Sequence, residues 1–347
     1  MRIKGLLTVL LVVAIFLSGC SPKTQPVQSE EPDESDIGES SDIEEQPGPP
    51  KFLCTLTGQE VLEESDVKFR PIAVMIDNEI SARPQSGLND ADIIYEMPVE
   101  GNITRYMAIY HHLPSEKIGP VRSARPYFID KALEYNAIYV HCGGSPQALK
   151  DLEDLKVDVY NDLKGTPVFW RSTDRKMPHN LYTNTKYMRE VSLTKKLENK
   201  SAPEYFKFSN DFLKPDGASI KRVIINYDRN YKVSYLYNEE EKVYYRYING
   251  EPLKDKETNK EIKTVNVLIE KVGIKVLDKV GRLELKNIGK NRGYLITGGR
   301  LIEVEWQKDS RRGKTIYKDV KGNEINLNKG VTWIQVVPES VNIDFEE

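Results

Sequence analysis

The sequence predicts an α+β fold class: an α/β-type N-terminal domain with a mixed sheet covered by helices, then a mostly β C-terminal domain. Three observations predict it. Strand-like and helix-like segments alternate between residues 71 and 198, the helical period disappears after residue 219, and the stretch between them, residues 209–219, is polar and turn-rich.

In the first half, residues 71–77 (PIAVMID) read as a buried strand ending on polar Asp77 and Asn78. Residues 93–96 and 104–110 read as two strands joined around Gly101-Asn102. Residues 124–135 form a helix, with Ser123 as its cap and Pro126 in the first turn. A strand at 137–142 follows, then a turn at Gly143-Gly144, and Ser145 caps a helix that Pro146 opens and that runs to about 155. A short strand at 157–160 and a helix at 184–198 complete this half.

The second half reads as strands at 220–227, 231–237, 243–248, 265–269, 293–297, 301–306, 315–317 and 331–337. Turns such as Asn249-Gly250 and Gly298-Gly299 divide them, which predicts a sandwich or a barrel-like sheet. Tyr231, Val233, Tyr235 and Tyr237 share one strand parity, as do Val243, Tyr245 and Tyr247. Cross-strand packing explains this tyrosine stripe more simply than sugar stacking does.

The N-terminus carries an address. Arg2 and Lys4 precede a run from Leu6 to Leu17 that only Thr8 interrupts, too short for a membrane-spanning helix and suited to a secretory signal. Leu17-Ser18-Gly19-Cys20 then resembles the bacterial lipobox, in which the cysteine takes a diacylglycerol and the peptide is cut before it. Residues 1–19 are therefore expected to be a lipoprotein signal peptide and Cys20 the lipidated residue, since two acyl chains anchor stably where one does not. Between Cys20 and residue 50 runs a tether with nine acidic residues, six prolines and five serines, too polar to fold. The folded domains are expected at 51–210 and 215–347, on the extracytoplasmic face of the cell membrane.

The formal charge is −3; removing Arg2 and Lys4 leaves −5, and the tether, with Lys23 against nine acids, holds −8. Residues 51–347 thus carry +3, too little to suggest a nucleic-acid partner. Cys54 and Cys142 remain after Cys20, and spacing alone leaves open whether they pair. No C-x-x-C is present. Walker A, H-E-x-x-H and G-x-S-x-G are also absent, and an S-x-x-K match at Ser192 lies inside a predicted helix without a downstream K-T-G. His111 and His112, read as strand residues, would point to opposite faces, a poor arrangement for chelating one metal, so a metal site is left open without support, and no metal and no cofactor are assigned.

One constellation points to chemistry. Arg122, Ser123 and Arg125 lead into one helix start, His141 and Ser145 into another, and Arg171, Arg175, His179 and Asn180 form a basic loop before a third. Helix N-termini bind anions, arginine recognises carboxylate or phosphate with two bonds, and loops after strands gather at one sheet edge. Asp77 and Asn78 close a strand at that edge. The same residues, if they only cap helices and pair with Glu96, Glu100 or Asp174, are structural.

These stretches also carry a resemblance. RPIAVMIDN at 70–78, ARPQSG at 82–87, IGPVRSARP at 118–126, GGSP at 143–146, Pro178-His179-Asn180 and GVTWIQVVP at 330–338 resemble the YerB-like lipoproteins of Bacillus-type bacteria. The resemblance implies two domains of unknown function and a lipid anchor, and supplies no reaction. It implies a small residue at Cys142 and proline at Cys54, so neither thiol carries a family role.

The expected function is that of a membrane-anchored lipoprotein whose N-terminal domain binds an anionic envelope ligand, from a wall polymer or a peptide, with hydrolysis left open. The alternative is a non-enzymatic scaffold that binds partner proteins through both domains.

Overall fold

The residues IAVMID at Ile72–Asp77 are buried at every position. That is the signature of a strand covered on both faces, and this strand, β1, lies inside the largest sheet of the molecule. The computed structural model describes residues 52–197 and 203–347; the expected signal peptide, Cys20 and the tether of residues 21–50 lie outside the described residues.

Strands β2 (Ile93–Val99) and β3 (Ile103–Tyr110) form a hairpin closed by Gly101 and Asn102, both at positive φ (79° and 56°). β3 pairs antiparallel with β1, and β1 pairs parallel with β4 (Ile138–His141). β4 in turn pairs parallel with β5 (Val159–Asn161). The crossovers carry the helices α1 (Pro126–Glu134) and α2 (Pro146–Asp154), and α3 (Thr185–Lys195) follows. Ser145 caps α2 as expected, accepting from the Ala148 amide at 3.3 Å. Arg125, not Ser123, occupies the cap position of α1, because Pro126 is the first helical residue.

The C-terminal region contributes a sheet with β8 (Val243–Ile248), β7 (Lys232–Asn238), β6 (Arg222–Asn226) and the final strand β13 (Asn342–Glu346) as its long members, all antiparallel. Its other long strands do not close a sandwich of their own. β9 (Asn266–Val272), β10 (Gly289–Thr297), β11 (Arg300–Lys308) and β12 (Thr332–Pro338), with the short strands Ala218–Ser219 and Ile316–Asp319, extend the N-terminal sheet to eleven strands. The seam is β12, parallel to β9 on one side and to β2 on the other, with Gln335 opposite Glu96.

The large sheet is therefore the middle of three layers. Ile72, Val74, Ile76 and Tyr106 pack with Val223, Ile225, Val233, Tyr235 and Tyr244 of the smaller sheet. Ala73, Met75 and Met107 pack with Phe128, Ala132 and Leu133 of α1 on the opposite face. Tyr231 and Tyr235 are core residues, as cross-strand packing requires. In β8 the inward parity is Tyr244, Arg246 and Ile248, so Val243, Tyr245 and Tyr247 point away from the core. A charged residue at an inward position disguised that face in the sequence.

Candidate anion site at the end of β1

The site begins with how residues 118–122 are held. They run past the end of β1 as an irregular strand bonded on several sides. The Asp77 amide donates to the Pro120 carbonyl at 2.9 Å, the Arg122 amide to Met75 at 2.9 Å, and the Val121 amide to Leu181 at 2.7 Å. The Ile118 amide donates to Thr183 at 2.7 Å, and Ser86 and Gly119 exchange both of their bonds. Gly119 sits at φ +147°, where an added Cβ would stand 2.8 Å from the Leu181 carbonyl oxygen. This clamp sets Arg122 beside Asp77.

Asp77 is fully buried, and one carboxylate oxygen serves two basic side chains. His179 Nδ1 donates to Asp77 Oδ2 at 2.8 Å, and Arg122 Nε lies 2.8 Å from the same oxygen as an ion pair, off the line of a hydrogen bond. Glu79 Oε2 lies 3.7 Å from the other ring nitrogen of His179. Opposite Asp77 in the β1–β3 ladder stands Arg105, nearly fully buried, whose Nη1 donates to the Ser123 carbonyl at 2.7 Å. Burial lowers the Arg105 guanidinium to about 10; the positive charges of Arg125 and Arg122 push the same way, against Asp77. Arg125 Nε reaches both Glu100 oxygens, at 2.8 and 3.0 Å. Burial raises the Glu100 carboxyl, yet its hydrogen bonds from Arg125 prevail and hold it below the usual range.

Three guanidinium groups thus gather around two carboxylates. Among the described residues, Arg122 Nη1 and Nη2 and Arg125 Nη2 have no protein hydrogen-bond partner, and the Arg122 side chain is 25% exposed. The two Nη groups of Arg122 are an open fork of the kind that binds carboxylate or phosphate.

The structure brings Asp77, Arg122 and His179 together and seats Arg125 and Ser123 next to Arg105. Others of the expected set have partners of their own. Asn78 is a buried hub: its Nδ2 donates to Thr104 (2.7 Å) and Tyr231 (2.6 Å), and its Oδ1 accepts from Arg83 and Gln85. Arg171 bonds Asn180 Oδ1 at 3.0 Å and Asp162 at 2.9 Å. Arg175 donates to the Ala82 and Pro84 carbonyls, tying down the segment after Asn78. Ser145 is a helix cap. His141 is buried and borders a separate cavity of about 500 Å³; its Nδ1 donates to the Gly143 carbonyl at 2.7 Å, and its Nε2 is buried without a hydrogen-bond partner. Burial lowers the His141 imidazole to about 4, against the Gly143 bond.

Arg105 and Glu79 were not anticipated, whereas Glu100 was, as a structural partner of these arginines, and Arg125 pairs with it. The signal for Arg105 was present, as a lone charge inside an otherwise apolar strand. A second polar group also escaped notice. His111 and His112 follow the last residue of β3, where strand alternation no longer applies, and both rings lie at Cys54 and Asp92 rather than on opposite faces. Both of the described cysteines are free; Cys54 contacts Asp92, whereas Cys142 contacts Asp162 at 3.6 Å.

Residues 56–200 match the family described as "Protein of unknown function (DUF3048) N-terminal domain", and residues 223–334 its C-terminal domain. A relative from Bacillus subtilis (strain 168), named "Putative lipoprotein YerB", is 36% identical over 296 residues, which cover 83% of this chain and 87% of the relative. The crystal structure of YerB from Bacillus subtilis superposes with a TM-score of 0.74 at 33% identity, over 85% of this chain and all of that one. The chain belongs to the DUF3048 family of two-domain proteins, of which YerB is a member with a known structure.

Proposed function

We propose that this protein is a lipoprotein held at the extracytoplasmic face of the membrane through Cys20, and that it binds an anionic group of the cell envelope at Arg122, Arg125 and His179. The lipobox and the name of the relative support the anchor. Among the described residues, no helix is long and apolar enough to cross a membrane. The observation that carries the binding site is the open fork of Arg122, fixed at its Nε by a buried carboxylate that also orients His179. Charge-assisted bonds from a pre-positioned guanidinium are the strong class, and the Asp77 contact removes much of the ordering cost. His179 adds a proton donor or acceptor at the same carboxylate.

Calorimetric titration of the full chain with glycerol phosphate, and separately with a short acidic peptide, tests this reading. Arg122→Ala should weaken binding about tenfold, the worth of one charge-assisted bond. Glu79→Gln, which removes a competing carboxylate, should strengthen it about threefold. Equal affinities in all three proteins would remove the site. For the anchor, wild type should incorporate labelled fatty acid and Cys20→Ala should not; equal labelling would remove the assignment.

A further inference from the structure

The second polar group, at the opposite end of β3 from the anion site, has the donor set of a metal centre. Cys54 Sγ, one Asp92 oxygen and one His112 ring nitrogen lie within 4.8 Å of one another. His111 Nδ1 lies 3.5 Å from Cys54 Sγ, at the edge of that group of three rather than inside it, and Asp92 Oδ1 lies 3.6 Å from the same sulfur. In a tetrahedral zinc site, metal–sulfur bonds of about 2.3 Å and metal–nitrogen or –oxygen bonds of about 2.0 Å place neighbouring ligand atoms about 3.5 Å apart. The sulfur already stands at that distance from two of its neighbours. His112 and Asp92 are closer, drawn together by a hydrogen bond between them.

The surroundings prepare each group for coordination. His111 Nε2 donates to the Val67 carbonyl at 3.1 Å, which leaves the Nδ1 lone pair facing the thiol. Asp92 Oδ2 accepts from the His111 amide at 2.6 Å, which orients the carboxylate and leaves Oδ1 toward Cys54 and His112. Cys54 sits in a tight turn, its amide donating to Gln59 at 2.9 Å and its carbonyl accepting from Gly58 at 2.7 Å. Asp92 immediately precedes β2, and both histidines immediately follow β3, so three of the four ligands ride on the ends of rigid strands.

We propose that Cys54, Asp92 and His112 form a structural site for a zinc-class divalent cation, which His111, its Nδ1 now against the sulfur alone, completes as fourth ligand by moving toward the ion. One thiolate and one carboxylate neutralise the two positive charges of such an ion, so the filled site is uncharged, which burial demands. Cys54, Asp92 and His111 are at most 1% exposed, and the His112 side chain is 9% exposed. This closure argues against Cys54 as a nucleophile for an external substrate and favours a structural ion loaded as the chain folds. Metal entry displaces the thiol proton and takes the place of the proton shared by His112 and Asp92. The ion would staple the segment that begins at Phe52–Leu53 to the edge of the β2–β3 hairpin.

The test uses the full chain, stripped with chelator and reloaded. Wild type should retain stoichiometric zinc through dialysis, and its melting temperature should rise with zinc. Cobalt(II) should give the absorption of a tetrahedral ion with a thiolate-to-cobalt charge-transfer band. Cys54→Ser should lose the charge-transfer band, and His112→Ala should lose the zinc-dependent rise in melting temperature. If a variant fails to fold, wild type alone decides, because a missing charge-transfer band overturns the proposal. Zinc retained equally by wild type and Cys54→Ser also overturns it, as does wild type that keeps no zinc.

Discussion

At the scale of single residues, the protein separates histidines by what their nitrogens meet. His179 donates to a buried carboxylate at a partly exposed site, whereas His141 has one nitrogen bonded to Gly143 and the other buried without a partner. Burial holds His141 at about 4 in the folded chain, against 6.5 ordinarily. Below pH 6.5 the unfolded chain therefore binds a proton that the folded chain refuses, and stability falls as pH drops from 6.5 to 4. Above 6.5 the group has no effect. The full difference is about 3 kcal/mol at 1.36 kcal/mol per unit. Denaturant unfolding at pH 7 and pH 4.5 should show most of that extra loss in wild type and not in His141→Gln; parallel losses would mean that His141 titrates normally. Both histidines were visible in the sequence as polar residues near turns. Which one meets a carboxylate was not visible, because Asp77 and His179 lie 102 residues apart and nothing local couples them.

At the scale of elements, the site depends on the clamp at 118–122 more than on any helix N-terminus. Gly119 has a positive φ, with the Leu181 carbonyl and the Tyr182 ring against it. Gly119→Ala should therefore destabilise by about 2 kcal/mol, through backbone strain and the close contact. It should also weaken anion binding by displacing Arg122, with Arg105 and Arg125 intact. Chemical denaturation and the same calorimetric titration read both effects; unchanged binding would show that Arg122 does not need this loop. Elements were the most legible level. Strand periods and the Gly-Asn turn marked the β2–β3 hairpin, and Pro146 with Ser145 marked α2. The α1 cap was placed two residues early, because proline is tolerated throughout the first turn and so does not mark the first helical residue by itself. The shared parity of Val243, Tyr245 and Tyr247 did not show which face of β8 is inward, because the buried face carries Arg246.

At the scale of the whole molecule, the two family segments share one sheet and two sets of buried charges. Glu96 accepts from Thr104 at 2.6 Å, Tyr231 at 2.5 Å and Gln335 at 2.7 Å, and it pairs with Arg246, which lies 4.3 Å over the Trp333 ring. On the helix side, Lys131 lies 3.0 Å from Glu270, and Lys308 lies 2.9 Å from Glu134, all four fully buried. Each network joins residues on both sides of the joint at 209–219. Breaking a buried pair by removing one partner costs about 3–5 kcal/mol, whereas removing both charges together leaves none uncompensated and costs less. Arg246→Met should lower stability by about that amount and Glu96→Gln with Arg246→Met by less. Hydrogen exchange should show β1 and β7 opening with the same free energy. Separate opening energies would mean that the halves fold independently. This sharing was the least legible feature, since Glu96 and Gln335 are 239 residues apart and a parallel pairing leaves no turn in the sequence to announce it. The networks also reach the site, because Asn78, next to Asp77, bonds both Thr104 and Tyr231. The most direct measurement of the proposed function is a crystal structure of the full chain grown with phosphate. An anion held by Arg122 Nη1 or Nη2 and Arg125 Nη2, with His179 still on Asp77, is the predicted result. An empty fork, with phosphate bound only elsewhere or not at all, would contradict it.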